Sequence, residues 1–268
     1  IVAGASAAGV RTYTATSSQG LLLMAEVLFN IAGMRLPVVI TVANRGVSAP
    51  ITIWNDHQDA MTIRDAGWLQ FFAENHQEAV EQHLLAYKVA EKLGLPATVN
   101  VDGFVLTHTY EGVSLPKPTE VKKFLPAYKP KTGTYLDPKH PVTFGAFAPP
   151  AYYMEIREEL HKTLRSAQDL IKTEYEKLAL RAPGAIKEKE AASRINNGLI
   201  EYYGPKNPKT VLVAMGSLVG TIKDVVDLHA NTKRFMDGSV GILKIKTFRP
   251  TPSKEILRVI QKARYVAV

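Results

Sequence analysis

The run Val38-Val39-Ile40-Thr41-Val42-Ala43 constrains the fold more than any other segment of the chain. Apolar and β-branched residues occupy both alternating faces of this run, so a strand formed from it needs cover on both sides. Such strands lie inside parallel sheets that have helices on both faces. A short alternating strand at 10–15, a polar loop at 16–20 and a buried-helix pattern at 21–32 come before it. Strand, helix, strand is a crossover unit, which predicts an α/β protein.

The alternation of strands and helices continues along the chain. We predict a loop-rich stretch at 44–70, an amphipathic helix at 74–93, a strand at 96–101, an extended segment at 112–150 and a long helix at 152–180. After a break come strands at 210–215, 241–247 and from 265 onward, with helices at 220–230 and 253–263. The predicted fold class is therefore α/β, with a parallel-sheet domain over 1–190 and a smaller α/β domain over 191–268.

Both ends of the chain look incomplete. Residue 1 is not Met and opens in what reads as the latter half of a helix, and the chain stops within a predicted strand. We expect further sequence at both ends, so that the first domain lacks its start and the second is truncated. The sequence therefore leaves open whether a targeting signal lies upstream of residue 1.

Composition excludes several classes of protein and site. The 268 residues contain no cysteine, so this chain alone cannot form disulfides, thiolate zinc sites or cysteine-ligated iron–sulfur clusters. No apolar stretch approaches the roughly 20 residues of a membrane span, which predicts a soluble protein. The net charge of +8 comes from basic residues scattered among acids, which argues against a nucleic-acid partner and for solvated surface or a docking surface for acidic partners.

Three loops are expected to meet at one edge of the first sheet. In open parallel sheets, ligands bind beyond the carboxyl ends of the strands, and the loops Thr16–Gly20, Asn44–Pro50 and Asp102–Phe104 all follow predicted strands. Their side chains offer short hydroxyls, an amide and a single cation. This edge is the candidate site.

Arg45 is the most informative residue of these loops. Its guanidinium is a planar fork that suits a carboxylate or a phosphate, although a plain surface arginine is the alternative. Ser17, Ser18 and Gln19 either orient a heterocycle through hydrogen bonds or cap the helix that follows, which Gly33 can end.

Other motifs are weaker or missing. Asp56-His57-Gln58-Asp59 offers ligands for a divalent ion, but adjacent side chains point in different directions, so a polar loop network is the favoured interpretation. The chain has no Gly-x-Ser-x-Gly elbow, no Walker phosphate loop and no Gly-x-Gly-x-x-Gly fingerprint.

A set of segments, in order along the chain, resembles the pyruvate:ferredoxin oxidoreductases, members of the 2-oxoacid:ferredoxin oxidoreductase family. The segments are Thr14-Ala-Thr-Ser-Ser-Gln-Gly20, Gly33-Met-Arg-Leu-Pro37, Asn44-Arg-Gly-Val-Ser-Ala-Pro50, Ile53-Trp-Asn-Asp-His-Gln-Asp59, Arg64-Asp-Ala-Gly-Trp68, Glu74-Asn-His-Gln-Glu-Ala79, Asp102-Gly-Phe-Val-Leu-Thr-His108, His140-Pro-Val-Thr-Phe-Gly145 and Val213-Ala-Met-Gly-Ser217. Together they span most of the chain, which makes the set more specific than any single motif.

The resemblance implies a transketolase-like pyrimidine-binding domain followed by a domain like the transketolase carboxyl-terminal domain. It also implies an oxygen-sensitive, cytoplasmic enzyme of anaerobic metabolism. Its reaction converts pyruvate, coenzyme A and oxidised ferredoxin to acetyl-CoA, carbon dioxide and reduced ferredoxin. Thiamine diphosphate is the cofactor and accepts the electrons of the decarboxylated carbon.

Residue roles follow by resemblance. The arginine at the position of Arg45 binds the substrate carboxylate in this family, and Thr16, Ser17, Ser18 and Gln19 should lie beside the thiamine pyrimidine. The glutamate that activates the pyrimidine and a substrate-binding threonine lie upstream of residue 1 in the family pattern. No catalytic residue is therefore assigned within the chain. The diphosphate-binding Gly-Asp-Gly signature is absent, and Val101-Asp102-Gly103 only imitates it.

The resemblance also implies partners. Mg²⁺ and the [4Fe-4S] clusters should be held by a diphosphate-binding, beta-type subunit and by gamma and ferredoxin-like delta subunits, or by equivalent domains. A dimer of protomers is expected, with ferredoxin as the electron acceptor and with neither nucleic acid nor a membrane as a partner.

Two other functions stay open at this point. A related enzyme could act on 2-oxoisovalerate or 2-oxoglutarate, although the Asn-Asp-His-Gln-Asp form of the loop looks closest to the pyruvate branch. A noncatalytic scaffold subunit could keep the fold without turnover, but Arg45 and the intact Ser-Ser-Gln loop argue against it.

Overall fold

The computed structural model describes residues 1–179, 193–229 and 240–268 of the chain. These residues form two five-stranded sheets with helices packed against them. The elements, in chain order, are α1 (Val2–Ala7), β1 (Tyr13–Ser17), α2 (Ser18–Leu23), α3 (Ala25–Gly33), β2 (Val39–Asn44), α4 (Gln58–Thr62), β3 (Leu69–Phe72), α5 (His76–Leu93), β4 (Ala97–Asp102), α6 (Pro118–Phe124), α7 (Pro150–Ala179), β5 (Ser193–Asn196), β6 (Ile200–Tyr203), β7 (Thr210–Ala214), α8 (Leu218–His229), β8 (Val240–Ile245), β9 (Thr247–Arg249), α9 (Ser253–Ile260) and β10 (Tyr265–Ala267).

The first sheet has the strand order β1-β2-β4-β3-β9. Strand β2 lies between β1 and β4 and runs parallel to both. Val39, Ile40 and Val42 are buried, because helices cover this strand and neighbouring strands flank it. The prediction of a central parallel strand in an α/β protein is confirmed.

The stretch 44–70 is more ordered than predicted. It contains helix α4, and strand β3 begins at Leu69, where the sequence analysis still expected a loop. All four residues of β3 are buried. A run this short shows no periodicity of its own, and its conformation depends on pairing with β4 on one side and β9 on the other.

The helix predicted at 21–32 is in fact two helices. Helix α2 begins earlier, at Ser18, and Met24 separates it from α3. Ser17 stands at the N-cap position, but its side chain forms no capping hydrogen bond, so the prediction of serine capping is wrong. Helix α3 does end at Gly33, although the left-handed residue that follows is Arg35, with φ of 60°.

The segment 112–150 is extended, as predicted, apart from the short helix α6 that starts at Pro118. It lies against α5 and the start of the chain. Ser114 N donates to Gln77 Oε1 at 2.7 Å, and Lys88 Nζ donates to the carbonyl of Phe124 at 2.6 Å. The long helix predicted after it is α7.

The second sheet has the order β10-β7-β8-β6-β5. Strands β10, β7 and β8 are parallel, as the alternation predicted. The antiparallel pair β5 and β6 was not predicted, because these short strands follow directly on the region where we placed a break. The boundary predicted near residue 190 lies outside the described residues and stays a prediction.

The two parts of the chain share one sheet and one buried cluster of charges. Strand β9 comes from the second part but pairs antiparallel with β3 of the first sheet. Beside it lies an interface cluster of buried charged residues from both parts, namely Glu74, Glu78, Glu81, Glu201, Lys223, Lys244 and Lys246. Within the described ranges, no helix has the length and apolar character needed to cross a membrane.

Lysine and glutamate alternate within the interface cluster. Lys244 Nζ lies 2.6 Å from Glu74 Oε2 and 2.9 Å from Glu78 Oε2. Lys223 Nζ lies 2.9 Å from Glu74 Oε2 and 2.8 Å from Glu201 Oε1. Burial alone would raise the pKa of Glu78, but the facing ammonium groups outweigh it and lower that pKa to about 2.

Candidate functional site

The three predicted loops meet at the carboxyl edge of the first sheet. Ser18 Oγ donates to the carbonyl of Gly46 at 2.7 Å, which joins the first loop to the second. Gly103 N donates to the carbonyl of Asn44 at 3.0 Å, which joins the third loop to the second. The loop after β2 is therefore the centre of the site, and Arg45 lies within it.

Asp59 is fully buried beneath these loops and holds them together. One oxygen, Oδ2, accepts from the backbone N–H of Ser18 at 3.0 Å and of Arg45 at 3.1 Å. The other, Oδ1, accepts from Asn44 Nδ2 at 2.9 Å and from Ala60 N at 2.7 Å. A carboxylate with four such donors fixes the backbone on both sides of the site.

Sequence reasoning did not single out Asp59 from the run 56–59, since three of its four donors are 14 to 41 residues away in the chain. The structure shows the polar network that we favoured for this run. Among the residues that the structure describes, no group of three or more His, Asp and Glu is placed to hold a metal ion.

Arg45 is half-buried, with its stem fixed and part of its guanidinium free. Nε donates to the carbonyl of Thr52 at 3.2 Å, and Nη1 donates to Ser17 Oγ at 3.3 Å. A Cβ on Gly103 would lie 2.5 Å from Arg45 Cγ, so glycine there leaves room for the stem. Nη2 donates no hydrogen bond to any described residue. An anion can therefore accept from the outer edge of the guanidinium.

The four predicted residues of the first loop divide into two pairs. Ser17 accepts from Arg45 and Ser18 is fully buried with its hydroxyl on Gly46, so both serines position the loops. Gln19 Nε2 is buried and has no hydrogen-bond partner among the described residues. Such a donor suits a ligand acceptor, because an unsatisfied buried amide costs roughly 1–3 kcal/mol. Thr16 Oγ1 lies close to Gly20, the residue after Gln19, where an added Cβ would be 2.6 Å from it.

Asp102 joins the second part of the chain to this edge. Its Oδ1 is 3.0 Å from His57 Nε2, and its Oδ2 accepts from both the N–H and the hydroxyl of Ser217, at 2.7 and 2.6 Å. Burial raises the pKa of Asp102, but these hydrogen bonds outweigh it and lower that pKa below its ordinary value. A Cβ on Gly216 would lie 2.6 Å from Oδ2, so this approach requires glycine.

The sequence analysis placed Asp102 in the third loop of the site and noted its likeness to a diphosphate motif, but it assigned Asp102 no role and missed its contact with Ser217. Both residues stand in quoted segments of the resemblance, at 102–108 and 213–217. Nothing in either segment indicates that the two meet, because they are more than a hundred residues apart.

Two family models match the chain. The model described as "Pyruvate flavodoxin/ferredoxin oxidoreductase, thiamine diP-bdg" matches residues 1–176. The model described as "Pyruvate:ferredoxin oxidoreductase core domain II" matches residues 209–268. The first model includes all three loops of the site, and the second includes Ser217.

Curated relatives match nearly the whole chain. Pyruvate synthase subunit PorA of Methanocaldococcus jannaschii is 45% identical over 267 residues, covering 99% of this chain and 65% of that protein. PorA of Pyrococcus abyssi is 47% identical, covering 98% of this chain and 63% of that protein. Ketoisovalerate oxidoreductase subunit VorA of Pyrococcus horikoshii is 39% identical, covering 99% of this chain and 64% of that protein.

The fold also matches a solved structure. A chain of 2-oxoglutarate:ferredoxin oxidoreductase from Magnetococcus marinus superposes with a TM-score of 0.62 at 16% identity, covering 99% of this chain and 46% of that chain. This likeness supports the α/β architecture. The resemblance in the sequence is thus confirmed by the family models, and the chain belongs to the pyruvate flavodoxin/ferredoxin oxidoreductase family.

Proposed function

We propose that this chain is the part of a pyruvate:ferredoxin oxidoreductase that binds the pyrimidine of thiamine diphosphate and the carboxylate of pyruvate. The complete enzyme converts pyruvate and coenzyme A to acetyl-CoA and carbon dioxide, and passes the electrons to ferredoxin. Identities of 45–47% to two PorA subunits, against 39% to a VorA subunit, favour pyruvate over a branched oxoacid.

The observation on which the proposal depends is the half-buried guanidinium of Arg45 at the loop edge. Thr52 and Ser17 each accept one of its hydrogen bonds, and no described acidic side chain forms a salt bridge with it. A small 2-oxoacid can therefore place its carboxylate on the free edge, where the charge-assisted hydrogen bonds orient its carbonyl.

The residues of the first loop fit the cofactor's heterocycle. Gln19 Nε2 would donate to a ring nitrogen acceptor, and Thr16 would border the ring on the same side. Thiamine diphosphate, when bound, supplies the electron sink for the decarboxylated carbon. The serines and Asp59 act earlier, because they fix the loop geometry before any ligand arrives.

Other components are required for activity under this proposal. The chain spans 63–65% of the length of these PorA relatives. It contains no cysteine, so [4Fe-4S] clusters would be held by partner subunits or domains, as would Mg²⁺ and the cofactor diphosphate. We propose a beta-type subunit, gamma and delta subunits or equivalents, and a dimer of such protomers.

The test uses the complex purified anaerobically through this chain. Reduction of a viologen dye or of ferredoxin is followed with coenzyme A, thiamine diphosphate and pyruvate, 2-oxoisovalerate or 2-oxoglutarate. We expect pyruvate to give the highest kcat/KM. Intact clusters and bound thiamine without reduction by any oxoacid would favour a noncatalytic scaffold instead.

Substitution of the arginine tests the site itself. In Arg45→Ala we expect the KM for pyruvate to rise about 10- to 100-fold, because a charge-assisted hydrogen bond contributes about 1.5–3 kcal/mol. Arg258→Ala removes an exposed arginine on α9 and is the matched control, with an unchanged KM. Equal KM values in the two variants would show that Arg45 does not bind the substrate.

A further inference from the structure

A cleft of about 850 Å³ lies between helix α7 and the segment that joins β9 to α9. Its volume is within the range of about 300–1,000 Å³ that is usual for small-molecule sites. Gln168 Nε2 donates to the carbonyl of Thr251 at 2.8 Å, which ties the two walls together. The cleft is thus a feature of the folded chain rather than a gap between loose elements.

The cleft has three acidic side chains, and each forms an ion pair with a cation that also lines it. Lys172 Nζ lies 3.1 Å from Asp169 Oδ1 and 3.4 Å from Glu255 Oε1. Asp65 pairs with Arg249. Six Arg and Lys side chains line the cleft against these three acids, so the lining keeps a net charge of +3, with His161 not counted.

Three cations of the lining, Arg157, Arg165 and Lys254, form no salt bridge with any acidic residue that the structure describes. Arg157, His161 and Arg165 follow one another at four-residue spacing, so they lie on one face of α7. Lys254 stands on the other wall, in the first turn of α9. Like charges facing one recess repel each other unless an anion lies between them.

From this arrangement we infer that the cleft binds a phosphorylated small molecule, with its phosphate between the α7 arginines and Lys254. Guanidinium forks match phosphate oxygens in bidentate geometry, and three positive charges match a phosphate better than a single carboxylate. Leu160, Leu164 and Pro250 line the same cleft and offer apolar contact to the organic part of such a ligand.

The first experiment measures how fast Lys254 is acetylated in the purified complex. Thiamine diphosphate is present at saturation, inorganic pyrophosphate is the probe, and mass spectrometry reads each lysine separately. We expect pyrophosphate to slow acetylation of Lys254 at least fivefold, and to leave the exposed Lys162 and Lys139 unchanged. A Lys254 that reacts equally fast with and without pyrophosphate overturns the inference, and so does one that is unreactive in the ligand-free complex.

Variants distinguish a site from general positive charge. Arg157→Gln with Arg165→Gln removes both arginines of the cleft, and we expect the protection of Lys254 to be lost. Lys162→Gln with Lys139→Gln removes the same net charge outside the cleft, and protection should remain. Retained protection in the first pair, or equal loss in both pairs, would show that the arginines do not form a site.

Discussion

Asp59 and Arg45 differ in how far the sequence reveals them. Arg45 follows a strand that had to be central and parallel, so its place at the ligand-binding edge could be predicted from the pattern alone. Asp59 is equally important for the geometry, but it bonds to Ser18, which is 41 residues away. Only the folded chain shows that one buried carboxylate serves two loops.

Gly103 sets how close the third loop comes to Arg45. In Gly103→Ala the new Cβ would lie 2.5 Å from both Arg45 Cγ and the carbonyl oxygen of Asn44, so the arginine stem or the strand end must move. We expect unfolding to become easier by about 1–3 kcal/mol, as for overpacked sites. The KM for pyruvate should rise as the guanidinium shifts.

Gly112→Ala is the control for this substitution, because nothing lies within 4 Å of a Cβ at that position. Thermal unfolding and oxoacid kinetics measure the two effects separately. If Gly103→Ala behaved like Gly112→Ala in both assays, the close approach of Gly103 to Arg45 would affect neither stability nor substrate binding.

Long elements were easier to predict than short ones. Helix α5 and helix α7 lie within a few residues of their predicted bounds, since many turns of amphipathic pattern define them. Strands β3, β5 and β6 were missed, because four residues contain too little pattern and their pairing partners are far along the chain. The break at Met24 has no sequence signal that we can identify.

The start of α5 provides a test of capping in this fold. Asn75 Oδ1 accepts from Glu78 N at 2.9 Å, which satisfies one of the free amides of the first turn. We expect Asn75→Ala to lower the unfolding free energy by about 1 kcal/mol, or roughly 2–4 °C in Tm for a chain of this size. Asn55→Ala, at an exposed loop position, should leave Tm unchanged. Equal Tm values in the two variants would contradict the capping role.

The interface cluster gives the whole molecule a dependence on pH. Burial raises the pKa of Glu81 from 4.5 to about 7, and the lysines of the cluster offset this only in part. Between pH 4.5 and about 7, Glu81 keeps its proton in the folded state but has released it in the unfolded state. The unfolding free energy therefore falls as pH rises through this window and stays lower above it. Glu78 acts oppositely, at lower pH, because its pKa is depressed.

Glu81→Gln should remove this slope. The amide keeps the size of the side chain and an acceptor for Gln77, but it has no charge to bury. We expect the variant at pH 8 to be more stable than the original protein, by on the order of 2–3 kcal/mol, and to lose the fall in stability that Glu81 causes between pH 5 and 7. Urea unfolding at several pH values measures this.

Glu158→Gln, at an exposed position of α7, is the control, and its pH profile should match that of the original protein. A slope that persists in Glu81→Gln would assign the pH dependence to another group.

Strand β9 has a consequence for how the protein is made. The ribosome completes β3 long before it reaches Thr247–Arg249, so the outer edge of the first sheet stays open while the intervening residues are synthesised. Lys223 and Lys244, which pair with Glu74 and Glu78, are also synthesised much later than these two acids. During translation, the nascent chain therefore exposes an unpaired strand edge beside acids that have no counterions. Unpaired strand edges of this kind are the sites at which a nascent chain aggregates or binds chaperones most readily.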